Sequence, residues 1–282
     1  MNIIKNSKKN ILIIVLIVMV SIVLIVFCAG KNPNIKTENI KELYANETIK
    51  LDNIEAGVGG FTCTGATYDT KTNTFYIGDA GKMNFDDESF KATIRQISFD
   101  FDSQIKSFDC YKQFENMKDI QGVTLDNHGN IWFCSHGENL VRCISINGEG
   151  ISEFHIKNPS GIAYSNEDDC FWILTDHNLI ETTKEGKIIK KYYLKIDGQD
   201  QLYYDVENKE LYITAGLDYY GDSFVYVFDL EKDELELRYI LHDSFAIEGI
   251  SIVNKKMYIF NDGLYHEAKE PVNQVKVYYL NP

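Results

Sequence analysis

The chain has 282 residues, and its 42 acidic against 28 basic side chains give a formal net charge of −14. A surface this acidic argues against binding to nucleic acid and against docking on anionic lipid, because phosphate groups are repelled, although it permits cation binding. The six cysteines include no C-x-x-C pair, so a closed thiolate zinc site is not expected.

The first element in chain order is an apolar run over residues 11–29, which contains no charged side chain. About 19 residues at 1.5 Å rise each nearly span a hydrocarbon core of about 30 Å, so the run predicts one transmembrane helix. Lysines at positions 5, 8 and 9 favour a cytoplasmic N-terminus, which sends the rest of the chain outside the cell membrane. We expect a cytoplasmic basic region at 1–10, a signal anchor at 11–29 and a tether at 30–46.

Two other fates of this segment stay open. Cys28 and Gly30 are small residues at the positions that signal peptidase reads before a cut at Lys31. In a lipoprotein, Cys28 would instead be acylated, although Phe27 stands where that signal carries a small residue. The run is longer than the apolar part of a usual cleaved signal, so the retained anchor is the prediction.

A repeat of five copies follows, and each copy has the same three parts. A short strand starts at a small residue, a polar turn follows, and a second strand carries an aromatic residue at its middle. Glycine allows innermost strands to crowd around an axis, and the aromatic is placed to pack between neighbouring units. The strand starts are Gly65, Gly122, Gly161, Gln201 and Gly249, and the aromatics are Tyr76, Trp132, Trp172, Tyr212 and Tyr258.

Each copy has room for about four strands, which predicts an all-β, five-bladed β-propeller over residues 47–282. The last copy lacks an outer strand, and residues 47–54 have the strand character to supply it and close the ring. The alternative is a six-bladed propeller, with a further blade hidden between the first two copies or before residue 60. A helical solenoid is excluded because no 3.6-residue apolar period is sustained.

The residue before each strand start should face one mouth of the central channel, together with the residues that end each second strand. Oxygen ligands without paired thiols fit a hard cation, calcium first and magnesium or manganese second, which would offset repulsion between carboxylates. We expect Glu248, Asp200 and Gln121 to be the metal ligands. The other residues expected at the mouth are Asp79, His136, Asp176, Asp262, Thr64 and Ser160. Acidic residues also form hairpin turns, which is the competing interpretation of Asp79 and Asp262.

The N-terminal anchor, the five short blades and two strand starts resemble the SdiA-regulated bacterial proteins, distant relatives of NHL-repeat propellers. These starts are Ile120-Gln-Gly-Val-Thr-Leu-Asp and Ile247-Glu-Gly-Ile-Ser-Ile. The resemblance covers roughly residues 48–282 and implies a five-bladed propeller with a calcium site and no settled biochemical activity. Glu248 matches the family pattern best, whereas Thr64 and Ser160 depart from it. A weaker likeness is to the six-bladed senescence-marker and gluconolactonase propellers, which hold a metal at the channel mouth.

Two functions are compatible with these features. The first is an extracytoplasmic binding or sensing module for a small molecule or a protein, tethered to the membrane and carrying calcium. The alternative is a metal-dependent hydrolase of lactones or esters, in which Glu248 and Asp200 hold the metal. The enzyme motifs G-x-S-x-G, H-E-x-x-H and G-x-x-x-x-G-K do not occur in the chain. The binding module is the preferred prediction.

Overall fold

Short apolar runs and polar turns alternate along the chain, and they fold into five sheets, four of them purely antiparallel. The structure is a computed structural model that describes residues 32–55, 61–80, 91–114, 117, 119–216, 222–244, 246–261 and 273–280. The predicted membrane segment at 11–29 lies outside the described residues. Within those that are described, no helix has the length and apolar character needed to cross a membrane.

The described part of the chain contains 22 strands and two short 3₁₀ turns, the latter at Cys110–Lys112 and His136–Glu138. In chain order the strands are β1 (Ile35–Lys36), β2 (Lys41–Leu43), β3 (Glu47–Lys50), β4 (Cys63–Asp69), β5 (Thr74–Asp79), β6 (Thr93–Ser98), β7 (Gln104–Phe108), β8 (Val123–Leu125), β9 (Ile131–Ser135), β10 (Leu140–Ile144), β11 (Gly150–His155), β12 (Pro159–Ser165), β13 (Cys170–Thr175), β14 (Asn178–Thr182), β15 (Ile188–Tyr193), β16 (Gln199–Asp205), β17 (Glu210–Ala215), β18 (Ser223–Asp229), β19 (Glu234–Leu241), β20 (Ile247–Val253), β21 (Lys256–Asn261) and β22 (Gln274–Tyr279).

The five sheets are the blades of a propeller. Blades 1 to 3 consist of β4–β7, β8–β11 and β12–β15, each counted from the channel outward. Blade 4 contains β16–β19, and blade 5 contains β20–β22 with β3 as its outermost strand. The innermost strands contact one another in a closed circle, in the order β4, β8, β12, β16, β20 and back to β4. The prediction of a five-bladed propeller is therefore confirmed, and the described residues contain no sheet for a sixth blade.

Blade 5 is closed by a strand from the other end of the chain. β3 pairs antiparallel with β22, so that Glu47 lies opposite Val277 and Lys50 lies opposite Gln274. The predicted closing strand is thus present over Glu47–Lys50. Because both ends of the domain share one sheet, the ring is held shut by backbone hydrogen bonds.

Part of the range expected to be a tether, residues 30–46, is bound to the propeller. β1 and β2 run parallel to β19 along the outer edge of blade 4, with Ile35 opposite Leu235. Lys36 Nζ also lies 2.6 Å from Glu234 Oε2. The expectation of a tether as far as residue 46 is corrected, since these strands cover a sheet edge that would otherwise be open.

Five clusters of buried apolar side chains fill the five seams between neighbouring blades. Each contains one repeated aromatic, and all five of these aromatics are buried. The ring of Trp132 in blade 2 lies 4.7 Å from that of Phe171 in blade 3. Tyr258 in blade 5 and Phe75 in blade 1 are 5.3 Å apart, so the last seam is packed like the others. Such pairs contribute about 0.5–1.5 kcal/mol beyond the area they bury.

The strand starts crowd together as the glycine pattern predicts. A Cβ atom on Gly122 would lie 2.6 Å from the carbonyl oxygen of Ser160, to which the Gly122 amide donates a hydrogen bond of 2.7 Å. Blade 4 differs, because its strand start is Gln201, which is 3% exposed. We term the five strand starts the glycine ring, although one of them is a glutamine. Its members are Gly65, Gly122, Gly161, Gln201 and Gly249.

Candidate functional site

A cavity of about 360 Å³ lies at the mouth of the channel, where the innermost strands begin. Blades 2 to 5 line it, and six of its residues are among those that the sequence predicts at this place. Its lining residues, which define the mouth cavity, are Gln121, His136, Asn158, Ser160, Asp176, Gly198, Gln199, Asp200 and Glu248.

A β-bulge beside the glycine ring directs side chains toward this cavity. In β16 the pairing with β17 is broken between Gln199 and Leu202, and β12 and β20 show a break at the same step. A bulge turns a side chain away from its regular place in the ladder. Asp200 and Glu248 therefore border the cavity, while the residues that follow them continue the sheet.

Asp200 and Glu248 are the two carboxylates that innermost strands bring to the cavity, and both are half-buried. Gln201 Nε2 donates a hydrogen bond of 3.3 Å to Asp200 Oδ1. Burial, and then the negative charge of Asp200, hold the pKa of the Cys134 thiol well above its usual value. Asp200 belongs to blade 4 and Cys134 to blade 2, so the electrostatic effect of Asp200 extends across the channel to a blade that is not adjacent to blade 4.

Two glutamines line the cavity with their amide nitrogens already engaged. Gln121 Nε2 donates to Asp119 Oδ2 at 3.0 Å, and Gln199 Nε2 donates to the carbonyl oxygen of Thr175 at 2.6 Å. Gln199 Oε1 is buried and accepts no hydrogen bond from any described residue. A buried acceptor in this state costs about 1–3 kcal/mol, so a cation or a hydrogen-bond donor in the cavity would stabilise it.

The rim of the cavity adds a third carboxylate and a histidine. Asp176 and His136 are exposed. Asn158 Nδ2 donates to both oxygens of Asp176, at 3.0 and 2.9 Å, and so holds this carboxylate at the rim. Asn158 has a φ of 47°, a left-handed conformation that asparagine tolerates better than most residues.

Asp79 does not line the mouth cavity, which corrects the expectation from the sequence. Its side chain is fully buried in blade 1, where it accepts hydrogen bonds from Arg95 Nε at 2.8 Å and Thr93 Oγ1 at 3.0 Å. Asp79 pairs with Thr93 in the ladder, so Arg95 is its diagonal neighbour on the same face. The carboxylate is neutralised inside the blade and cannot serve the cavity.

Thr64 and Asp262 are the other predicted residues that the structure does not place in the cavity. Thr64 is 3% exposed, and a Cβ atom on Gly78 would lie 2.3 Å from its Oγ1. It is thus packed inside blade 1, and the expectation that it lines the mouth is corrected. Asp262 lies outside the described residues.

Gln199 and Asn158 border the cavity although the sequence does not point to them. The repeat identifies the residue directly before each strand start, whereas Gln199 lies one position earlier and is placed by the bulge in β16. Asn158 precedes β12 and depends on its left-handed backbone. The only signal for Asn158 in the sequence is its residue type, since asparagine is enriched at such positions.

The mouth cavity offers oxygen atoms, which are the donors that hard cations prefer. The described cysteines are all buried, which leaves oxygen atoms as the main ligands. Among the described residues, no group of three or more His, Cys, Asp or Glu side chains could hold a metal ion. Calcium takes roughly six to eight oxygen ligands and accepts amide and backbone carbonyls. Asp200 and Glu248 would therefore need the amide oxygens of Gln121 and Gln199 beside them.

A second cavity, of about 550 Å³, occupies the opposite end of the channel. It is lined by the far halves of the innermost strands and by the turns after them, including Tyr68, Tyr164 and Tyr204. Among the described residues, the two cavities share no lining residue, and the glycine ring lines neither of them. The ring therefore separates a carboxylate-rich mouth from a tyrosine-rich one.

No known family model and no curated protein sequence matches the chain. Several solved structures are similar to the chain: hydrazine synthase of Kuenenia stuttgartiensis is 12% identical, with a TM-score of 0.50, over 73% of this chain and 57% of that one. The RRP9 WD40 repeats are 11% identical, with a TM-score of 0.49, over 79% and 63% of the two chains. Virginiamycin B lyase from Staphylococcus aureus is 17% identical, with a TM-score of 0.46, over 77% and 66%.

This chain therefore spans less than two thirds of the length of each of these structures. At such low identity, structural similarity shows the fold alone. The assignment of the chain as a β-propeller rests on its own sheet topology.

Proposed function

We propose that this chain is a membrane-tethered, extracytoplasmic β-propeller of the SdiA-regulated family. In this proposal it binds a small molecule or a protein at the mouth cavity with the help of a divalent cation, calcium first. The observation that carries the proposal is the convergence of Gln121, Asp200 and Glu248 from three blades on one cavity. The five blades also agree with the family that the strand starts resemble.

The charges of the cavity support a bound cation. Asp176, Asp200 and Glu248 border the same space of about 360 Å³, and a divalent ion would offset the repulsion between them. Glu248, Asp200, Gln121 and Gln199 would hold the ion through their side-chain oxygens. When bound, it would supply a positive charge toward which a carboxylate or carbonyl group of a ligand is attracted.

Binding is favoured over hydrolysis by the state of the histidine. A hydrolase of lactones or esters needs a positioned group that moves a proton beside the metal. His136 borders the cavity, but its side chain is exposed and forms no hydrogen bond with a described residue that would orient it. His136 is therefore not positioned as a general base, and a ligand-binding site does not require one.

We expect calcium to raise the unfolding temperature of the chain. At about a hundred times its Kd, a ligand that binds only the folded state adds about 2.7 kcal/mol, which is about 5–10 °C for a domain of this size. Glu248→Gln removes one ligand charge and should abolish most of this shift. Scanning fluorimetry in calcium chloride and in a chelator measures the unfolding temperature of the wild-type chain and of the Glu248→Gln variant.

Glu207→Gln is the matched control for this experiment. It removes the same charge from an exposed residue in the turn after β16, at the other end of the channel, and should keep the full calcium shift. If calcium, magnesium and manganese all leave the unfolding temperature of the wild-type chain unchanged, the cation proposal is wrong. Equal shifts in the wild type and in Glu248→Gln would place the cation elsewhere.

A further inference from the structure

The outermost strand of blade 3 differs in charge from the protein as a whole. Residues 183–196 contain five lysines and one glutamate, although the chain carries a net charge of −14. Lys187, Lys191 and Lys195 are exposed, and none of them forms a salt bridge with a described residue. Residues 187–195 are termed the basic edge below.

Large apolar side chains lie between these lysines. Ile188 is 52% exposed, Ile189 46% and Tyr193 42%. β15 ends its sheet, and no described strand pairs with its outer side, whereas β19 in the next blade is covered by β1 and β2. Lysines interleaved with exposed isoleucine and tyrosine are the composition of surfaces that lie at a membrane interface.

The chain enters the propeller beside the basic edge. Ile35 packs against the apolar cluster of the seam between blades 3 and 4, which contains Tyr192 of β15. The Tyr192 hydroxyl donates a hydrogen bond of 2.6 Å to Asp233 Oδ1, in the turn that leads into β19. Since Leu235 of β19 lies opposite Ile35, this turn, β1 and the basic edge form one neighbourhood.

The distance from this neighbourhood to the predicted membrane segment is short. Residues 30 and 31 alone separate the segment 11–29 from Asn32, the first described residue. Even a fully extended chain spans only about 10 Å over this distance. A bilayer that contains residues 11–29 therefore lies close to the side of blades 3 and 4 where β1 begins.

This entry point lies away from the mouth cavity. Strands alternate in direction within each blade, so the β18–β19 turn lies at the same end of the sheet as the β16–β17 turn. The two turns are joined by a hydrogen bond of 3.0 Å from the Leu230 amide to the Lys209 carbonyl oxygen. β16 begins at the other sheet end, where Asp200 borders the mouth cavity. A membrane beside the entry point would leave that cavity facing away from the lipid.

We propose that the basic edge docks on the anionic surface of the membrane that holds the N-terminal segment, and that this contact turns the mouth cavity away from the bilayer. The inference rests on the membrane tether proposed above. The net negative charge of the chain, which argues against anionic lipid for the surface as a whole, acts weakly here. Charges farther than about 8 Å are largely screened at physiological ionic strength, so the local lysines decide the contact.

Tryptophan fluorescence of the full chain in vesicles tests the docking. The two native tryptophans are buried, at 5% and 3% exposure, and give a constant background. Ile188→Trp places a reporter on the basic edge, and Ile151→Trp places one at an equally exposed site, 51%, on the outermost strand of blade 2. We expect vesicles of phosphatidylcholine and phosphatidylglycerol with brominated acyl chains to quench the first reporter and to spare the second.

The electrostatic part of the contact is tested in the Ile188→Trp background. Lys187→Gln combined with Lys191→Gln should weaken the docking equilibrium roughly 30-fold, because each lysine near anionic lipid contributes about one kcal/mol. Added salt, or vesicles of phosphatidylcholine alone, should reduce the quenching in the same direction.

Flotation of the vesicles separates the two proposals. If the chains float but lipid quenches the Ile188→Trp and Ile151→Trp variants equally, the docking proposal is wrong and the tether proposal stands. Chains that do not float at all would overturn the tether and the docking with it. If the lysines only protect the sheet edge from pairing with other strands, the glutamine variant aggregates while the wild-type edge shows no lipid contact, which also overturns the docking.

Discussion

Replacing Arg95 with methionine is expected to destabilise the propeller by about 3–5 kcal/mol, because the change leaves a buried carboxylate without its main partner. Arg95 is 2% exposed and Asp79 is fully buried. The guanidinium also donates to Gln104 Oε1 at 3.0 Å and lies 5.3 Å from the ring of Phe61. One side chain thus links three strands of blade 1, and urea unfolding followed by circular dichroism measures its loss.

The double variant Arg95→Met with Asp79→Leu is the control for this prediction. Removing both charges eliminates the unpaired carboxylate, so most of the stability should return, as it does for other buried ion pairs that are replaced by apolar residues. A loss of less than about 1 kcal/mol in Arg95→Met alone would show that the pair behaves like an exposed salt bridge. Such a small loss would contradict the burial of Asp79, and this burial is why Asp79 is excluded from the mouth cavity.

Gly122→Ala is expected to cost about 3 kcal/mol, at the upper end of the range for an overpacked core. The added methyl group would lie 2.6 Å from the Ser160 carbonyl oxygen and 2.7 Å from the Ile162 amide nitrogen. Both are backbone atoms of the neighbouring blade, so relief requires the two innermost strands to move apart. The same displacement moves Gln121 and Ser160 at the mouth cavity, and we expect the calcium shift to shrink with the stability.

Gly150→Ala provides the matched comparison in the same blade. Its added methyl group would approach the ring of Phe114 no closer than 3.5 Å, an ordinary contact, so the free energy of unfolding should change little. Urea unfolding of both variants gives the difference. Equal effects at Gly122 and Gly150 would mean that the glycine ring is not a packing constraint.

The sequence by itself determined the fold of this protein, because the repeat expresses requirements that every blade shares. Glycine at a strand start reflects the approach of innermost strands, as at Gly122 and Gly161. An aromatic in the second strand reflects the seam that each blade must fill, as at Trp132. The aromatic recurs in all five copies and the glycine in four of them, so these periodic signals predict the blade number without any knowledge of contacts.

The same repeat also predicted much of the mouth cavity. Symmetry assigns equivalent residues to one end of the channel, whatever their distance in sequence. The predicted residues that the structure brings together there are Gln121, His136, Ser160, Asp176, Asp200 and Glu248. The identity of a bound ion and its ligands stays a prediction.

Tertiary structure alone decided the features that depend on a particular neighbour. Asp79 ends the second strand of its blade, and the register of β5 with β6 sets Arg95 beside it, so that its carboxylate is neutralised inside the blade. Gln199 reaches the cavity through a bulge. Periodic patterns report which face of a strand is buried, whereas pairing register, bulges and strands added at an edge are fixed by interactions between distant segments, so they appear only when the chain is folded.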